Sequence, residues 1–470
     1  MAPQEQAVPV RHGTSAGGAP GIVAAALLVA ALAASLAQTI VIVVLPAFAR
    51  ELSAPTAEVT WVLTAFMLAS AVATPIAGRL GDLFGHRRVL LACLCLFTAG
   101  SLVCALAAES RSLGALVAGR ALQGVAGGVF PLAFGIARTA LPPARLPWTV
   151  ALLSAMFGIG GSAGMVVAGP LVDAFGTPAL FWGTLLLAGA ALAAAPALPA
   201  VRPARSGRID FGGAALLSGA LVCLLLGISQ GGTWGWTSPA VLALFGATLL
   251  LSAAFAVLEA RIGDPLVDLR LMGVRGQATT NLVTFVVAVA MFGAITLVPQ
   301  FVQTPAGAGY GFASTPSEAG LIMLPVALVM LIAGPVAARL GHRHGARLPL
   351  QAGTVCAAAS LAVLAAAHGH IAYFYLAGLL LGAGYGLAFA AIGLLIVQNA
   401  EAHQTGIATG VNTIVRTVGG AVGAQTAAAV LAVRASSSWP SESGYAQGFT
   451  VFAVLAAAAL AATVVVPRRR

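Results

Sequence analysis

The chain has 470 residues, 60% of them hydrophobic and 56 more of them Gly, whereas only 23 are basic and 13 acidic. A soluble protein of this size carries roughly a quarter of its residues charged, so a charged share of 8% excludes a soluble enzyme. The net charge of +10 lies in short scattered clusters rather than one stripe, which excludes a nucleic-acid binder; what remains is an all-α polytopic membrane protein in a lipid bilayer.

A membrane span needs about 20 mostly apolar residues. Fourteen such runs are predicted, at 22–47, 57–79, 89–108, 112–137, 148–171, 179–200, 211–229, 238–260, 278–303, 317–338, 349–367, 371–397, 405–432 and 447–466. The first is too long for a signal-peptide core and lacks a convincing cleavage site, so it is read as span 1. With the N-terminus in the cytoplasm, 18 of the 23 arginines fall in inner segments and 3 in outer ones, and Arg120 and Arg416 lie inside spans. A miscounted span would invert every later loop and scramble that bias. Fourteen spans with both termini cytoplasmic are therefore expected. Every basic residue is Arg and none is Lys, which with abundant Ala points to a bacterial genome and hence to the bacterial cytoplasmic (inner) membrane. Cys93, Cys95, Cys104, Cys223 and Cys356 fall inside apolar runs without metal-ligand spacing. They read as small buried hydrophobes, and neither a metal nor a cofactor is expected.

An internal repeat organises these spans. RLGDLFGHRR (Arg79 to Arg88) recurs as RLGHRHGARL (Arg339 to Leu348), 260 residues later. Gly160, Gly161 and Gly164 match Gly419, Gly420 and Gly423; Pro46 and Phe48 match Pro299 and Phe301; Gly124 and Gly128 match Gly382 and Gly386. Four matches in order at nearly constant offset predict two homologous six-helix bundles, 1–200 and 271–470, related by pseudo-two-fold symmetry. Residues 201–270 form a linker with two inserted spans, 7 and 8. Parallel bundles of this kind describe an alternating-access transporter with its substrate site near the midplane between them. The glycine pairs four residues apart let helix backbones approach closely in lipid.

Residues Arg79 to Arg88, preceded by Gly78, resemble the signature loop of the major facilitator superfamily at Gly78, Leu80, Asp82, Gly85, Arg87 and Arg88, and RALQGVAGG (Arg120 to Gly128) resembles that family's fourth-helix motif. GISQGGTWGW (Gly227 to Trp236), DPLVDLR (Asp264 to Arg270) and GVNTIVRTVGGAVG (Gly410 to Gly423) are similar to the fourteen-helix drug:proton antiporters. The resemblance implies a conformational latch at Gly78, Asp82, Gly85, Arg87 and Arg88, with Asp82 against the helix N-terminus near Thr405 and Gly406, where the helix dipole favours a carboxylate. It also implies a coupling role for Arg120.

An arginine inside a span costs at least about 2.5–3.5 kcal/mol on insertion scales and is functional by default. Arg120 is expected to share one level of a cavity with Gln38 and Gln123, and Arg416 to stand one turn from Asn412. Trp61, Phe157, Phe292, Gln300 and Tyr385 are further expected cavity residues, picked by polarity or bulk within spans. The chain departs from the antiporter pattern where Ala37 occupies the carboxylate position of span 1 and where Met165 and Ala168 replace a Pro and a Gly of span 5. No acidic residue lies deep in a span, so proton coupling would rest on Glu58 or Glu318 near the outer mouth, or on ionisation of the substrate. A cavity with arginine and no carboxylate predicts a neutral or anionic, hydrophobic or amphiphilic small molecule.

The expected function is secondary active export of such a compound (a drug, antibiotic or secondary metabolite), driven by protons, by a monomer. The alternative is a nutrient or metabolite importer, or a facilitator, of the same superfamily without proton antiport. No clustered acid, base or metal-ligand set indicates an enzyme, and without Lys there is no phosphate-binding loop for ATP-driven pumping.

Overall fold

The computed structural model describes residues 20–142, 145–200, 210–262, 275–399, 405–432 and 439–463. These residues form helices joined by turns, with no strand among them. Hydrocarbon imposes this, because a helix satisfies its backbone N–H and C=O groups within one segment. In chain order the helices are α1 (Pro20–Thr39), α2 (Leu45–Glu51), α3 (Thr56–Val59), α4 (Trp61–Phe84), α5 (His86–Glu109), α6 (Leu113–Gln123), α7 (Val129–Ala140), α8 (Leu146–Phe175) and α9 (Pro178–Ala194). There follow α10 (Phe211–Trp234), α11 (Pro239–Arg261), α12 (Arg275–Val302), α13 (Pro316–His344), α14 (Arg347–Ala366), α15 (Ile371–Asn399), α16 (Thr405–Ala432) and α17 (Glu442–Thr463).

Thirteen described stretches are long and apolar enough to cross a membrane, so the chain is a multi-pass membrane protein. The expected span at 148–171 falls on α8, which is 30 residues long but contributes only the shorter apolar stretch Ala163–Phe175. DPLVDLR, most of the 201–270 linker's two ends and both chain termini lie outside the described residues. Cys93 and Cys104 are buried as expected, whereas Cys95 is exposed, because two residues along α5 turn the side chain to the opposite flank.

Span 1 differs from the expected continuous helix. α1 stops at Thr39, residues 40–44 form turns, and α2 restarts at Leu45. Pro46, in the first turn of α2, cannot donate to the carbonyl one turn earlier, and its ring crowds that carbonyl. Its repeat partner Pro299 sits inside an unbroken α12. Span 4 is likewise divided, by a 3-10 turn at Gly124–Gly128.

The repeated glycines meet equivalent neighbours. A Cβ on Gly124 would lie 2.5 Å from the Phe66 carbonyl oxygen, and one on Gly382 would lie 2.5 Å from that of Val326. A Cβ on Gly164 would fall 2.9 Å from the Leu36 carbonyl oxygen, and one on Gly423 2.2 Å from that of Val289. Helix 4 against helix 6 thus repeats as 13 against 15, and 1 against 8 as 12 against 16. Gly85 and Gly345, the matched glycines of the two loops, have φ of 94° and 84°, a region costly for any residue with a Cβ.

α10 lies beside α4 and α16, and α11 packs on α10. Trp61 of α4 donates from Nε1 to the Ser229 hydroxyl of α10 at 3.1 Å, and Leu216, Leu217 and Phe255 pack with Val411 and Ile414 of α16. The outer flank of α11 exposes Leu242, Leu249, Leu250 and Val257, as a lipid-facing helix does.

Gly423→Val should separate α12 from α16 and cost about 1–3 kcal/mol, the usual penalty of overpacking. Gly246→Ala, where a Cβ meets nothing within 4 Å, should stabilise α11 by up to about 1 kcal/mol. Thermal unfolding of the detergent-solubilised variants checks both signs.

Candidate functional site

Arg120 has no solvent exposure, so its guanidinium must be satisfied by protein alone. Its Nε donates to the Val62 carbonyl at 2.7 Å, and its Nη1 donates to the Ala37 carbonyl at 2.9 Å and to Gln123 Oε1 at 2.7 Å. The guanidinium carbon stands 4.5 Å from the centroid of the Phe66 ring, within cation–π range. Ala37 lies in the last turn of α1, where carbonyls lose their helical partners; Arg120 supplies one. Gln123 continues the chain, its Nε2 donating to the Ser101 hydroxyl at 2.8 Å and to that of Thr184 at 3.4 Å. One cation therefore ties α1, α4, α5, α6 and α9 together. Arg120 Nη2 has no hydrogen-bond partner.

Phe66 has a second neighbour. With Ala34, Gln38, Ser70, Thr74, Gly127, Phe130, Thr413 and Thr417 it lines a cavity between the first-half helices and α16. Gln38 lines this cavity, while Arg120 stands one ring behind its wall. The wall is polar but uncharged. Its volume is only about 10 Å³, whereas a drug-sized molecule occupies a pocket of about 300–1,000 Å³.

The remaining expected residues separate. Asn412 donates from Nδ2 to Asn281 Oδ1 at 2.9 Å and to the Thr284 hydroxyl at 2.8 Å, which ties α16 to α12. Arg416 stands 5.6 Å from the Phe389 ring, itself 6.4 Å from the fully buried Tyr385, whose hydroxyl has no hydrogen-bond partner. Phe292 packs against Gly420. Trp61 reaches the inserted α10 rather than the cavity, and Phe157 lies outside the described side chains.

Two carboxylates expected to carry protons are placed elsewhere. Glu318 closes a capping box at the start of α13, its Oε2 accepting the Thr315 N–H at 2.8 Å. Glu58 is exposed on α3. Neither lines the cavity.

At the predicted outer end the two halves of the chain touch closely. Gln303 Nε2 donates to the Val43 carbonyl at 2.6 Å, Gln425 Nε2 to the Thr64 hydroxyl at 3.0 Å, and the Ser317 N–H to Asp173 Oδ2 at 2.9 Å. At the predicted inner end Gly78, Asp82 and Arg87 of the signature loop meet residues of the first half. Asp82 lies 3.4 Å from His86 Nε2 with its side chain 45% exposed, and Arg87 donates to the Pro196 carbonyl at 3.1 Å. Arg88 is exposed, and Gly78 packs at Pro131. The Thr405 side chain and the surroundings of Gly406 lie outside the description.

Sequence reasoning missed Phe66, Ser101, Thr184, Gln303 and Gln425. The glutamines carry the same signal that singled out Gln300, a polar side chain within a span.

The sequence profile described as Major Facilitator Superfamily matches residues 27–424 and 280–470. The chain belongs to the major facilitator superfamily. It is 31% identical over 446 residues to the tetracenomycin C resistance and export protein of Streptomyces glaucescens, covering 92% of this chain and 80% of that protein. To a multidrug resistance protein B homologue of Mycobacterium tuberculosis it is 30% identical over 406 residues, 84% of this chain and 73% of that protein. The crystal structure of a human organic anion transporter superposes with a TM-score of 0.65 at 19% identity, covering 94% of this chain and 99% of the other; that likeness establishes the superfamily fold. Drug and antibiotic exporters are thus among the relatives of this transporter.

Gln123→Leu should leave one buried guanidinium N–H without its partner, at about 1–3 kcal/mol, while the Ser101 hydroxyl keeps its own donation to the Phe97 carbonyl at 2.8 Å. A thermal midpoint lowered by several degrees in detergent is expected; an unchanged midpoint would contradict the network.

Proposed function

We propose that this transporter is a secondary active exporter of hydrophobic or amphiphilic small molecules that are neutral or weakly anionic. In this reading it works by alternating access, as a monomer, in a bacterial cytoplasmic membrane, with fourteen spans and both termini inside. The observation that carries the reading is the cavity between the halves: its wall comes from both, it is polar but uncharged, and a buried cation stands directly behind Phe66. Two unit positive charges 8 Å apart repel by about 2 kcal/mol at an effective dielectric of 20. A dicationic cargo meets that penalty with no carboxylate on the wall to offset it.

The cavity is too small for such cargo as it stands, so the halves must part to admit it. The matched glycine contacts support two related bundles, which can rock about the seam along α4 and α16. In the alternate state Asp82 meets the N-terminus of α16, with Gly78, Gly85, Arg87 and Arg88 shaping that contact, and the helix dipole favours the carboxylate there. Protons drive export through ionisation of the substrate itself, since Glu318 is engaged in a helix cap and Glu58 is exposed. The export and resistance functions named for the bacterial relatives support the outward direction.

Proteoliposomes under an imposed pH gradient test this with a panel of neutral, weakly acidic and dicationic aromatic compounds. Saturable movement is expected of the acidic compounds against their gradient and of the neutral ones only down theirs, both falling at least tenfold with Arg120→Ala. Saturable transport of a dicationic dye that Arg120→Ala abolishes would refute the assignment, and net inward flux in intact cells would make the protein an importer.

A further inference from the structure

A second cavity, of about 40 Å³, lies between the halves at the predicted outer end. Leu45, Pro46, Ala49 and Arg50 of α2 form one side, and Gln300, Gln303 and Thr304 with Trp439, Pro440 and Tyr445 form the other. Gln300 and Gln303 are 5% and 2% exposed. Each nevertheless keeps one polar atom without a hydrogen-bond partner: Gln300 its Nε2 donor and Gln303 its Oε1 acceptor. Gln303 follows the last residue of α12, and its N–H still bonds the Pro299 carbonyl one turn back at 3.3 Å; it therefore continues the face that carries Gln300, and the end of α12 presents an unused donor and an unused acceptor side by side. A buried polar atom with no partner is unusual in folded proteins and calls for an explanation.

Building on the exporter reading, we infer that this chamber is a release site, separate from the seam cavity beside Phe66. Its ligand is a flat aromatic compound carrying a carbonyl and a hydroxyl on one edge. The carbonyl accepts from Gln300 Nε2, the hydroxyl donates to Gln303 Oε1, and the ring lies against Trp439 and Tyr445. Arg50, exposed at the rim, favours an anionic form, and no carboxylate lines the wall to oppose it. In the conformation described here the chamber has room only for water-sized molecules. Gln303 also holds the Val43 carbonyl at 2.6 Å across the gap. Parting of the halves breaks that bond, enlarges the chamber and gives the ligand a second donor. Gln300, expected from the sequence in the central cavity, belongs to this outer one.

The probe is 1,8-dihydroxyanthraquinone, which bears phenolic hydroxyls flanking a carbonyl. It is titrated into the full-length protein in detergent, and the emission of Trp439 is isolated by difference against Trp439→Phe. Saturable quenching of the Trp439 component is expected. Gln300→Leu, which leaves the Val43 bond intact, should raise the half-saturating concentration at least tenfold; Gln300→Glu, which keeps the side chain's size and polarity, should do so too. Equal half-saturation in wild type and both variants, or no Trp439 component, would overturn the site. Gln300-dependent quenching in a protein that moves no probe across proteoliposomes would support the site and remove the export reading. Export of the probe with quenching insensitive to Gln300 would do the reverse.

Discussion

A guanidinium cut off from water forces the architecture around it. Arg120 can stay charged in the middle of the first half only if acceptors converge on it, and two of its three come from the backbone of other helices. The end of α1 provides one, because a helix that stops within the bilayer leaves carbonyls unused. The broken first span and the buried arginine are thus one feature seen from two sides. Pro46 ends the regular hydrogen bonding, and Arg120 takes up part of what the break leaves open.

The same break links two levels of the molecule. Ala37, just before it, is held by Arg120, and Val43, just within it, is held by Gln303, which follows the last residue of α12. Residues 40–44 therefore connect the core of the first half to its contact with the second. A short irregular segment absorbs a change of backbone angle more readily than a helix packed on all sides, and irregular backbone at membrane depth persists only where protein surrounds it. Ile40, Val41, Ile42, Val43 and Val44 are all buried, which meets that condition. α10 is bonded to Trp61 of α4 and packs on α16, so it spans the seam between those two helices.

Much of the fold was legible because lipid leaves few choices. Apolar runs of about 20 residues marked the helices, and the repeated glycines marked where helices approach closely, though not which partner each one meets. Gly85 and Gly345 were visible as a matched pair before their positive φ angles explained it. The site was harder to read. Arg120 was conspicuous as a charge among apolar residues, yet two of its three acceptors are main-chain oxygens, which leave no trace in side-chain identity. Polarity alone could not distinguish Gln38, on the central wall, from Gln300, at the outer chamber, or from Gln425, which joins the halves. Trp61 had the bulk of a cavity residue, but its position at the first turn of α4 directs it to α10. Pro46 and Pro299 matched in the repeat, and only one of them interrupts its helix.

The central claim is that the two halves of the chain exchange closure at one end for closure at the other. Double electron–electron resonance on a protein lacking its native cysteines measures this directly, with one spin-label pair at Ser53 and Gly307 and another at Phe84 and Arg343. The account predicts reciprocal shifts when substrate and pH are varied, the first distance lengthening as the second shortens. Two distances that stay fixed, or that lengthen together, would contradict it.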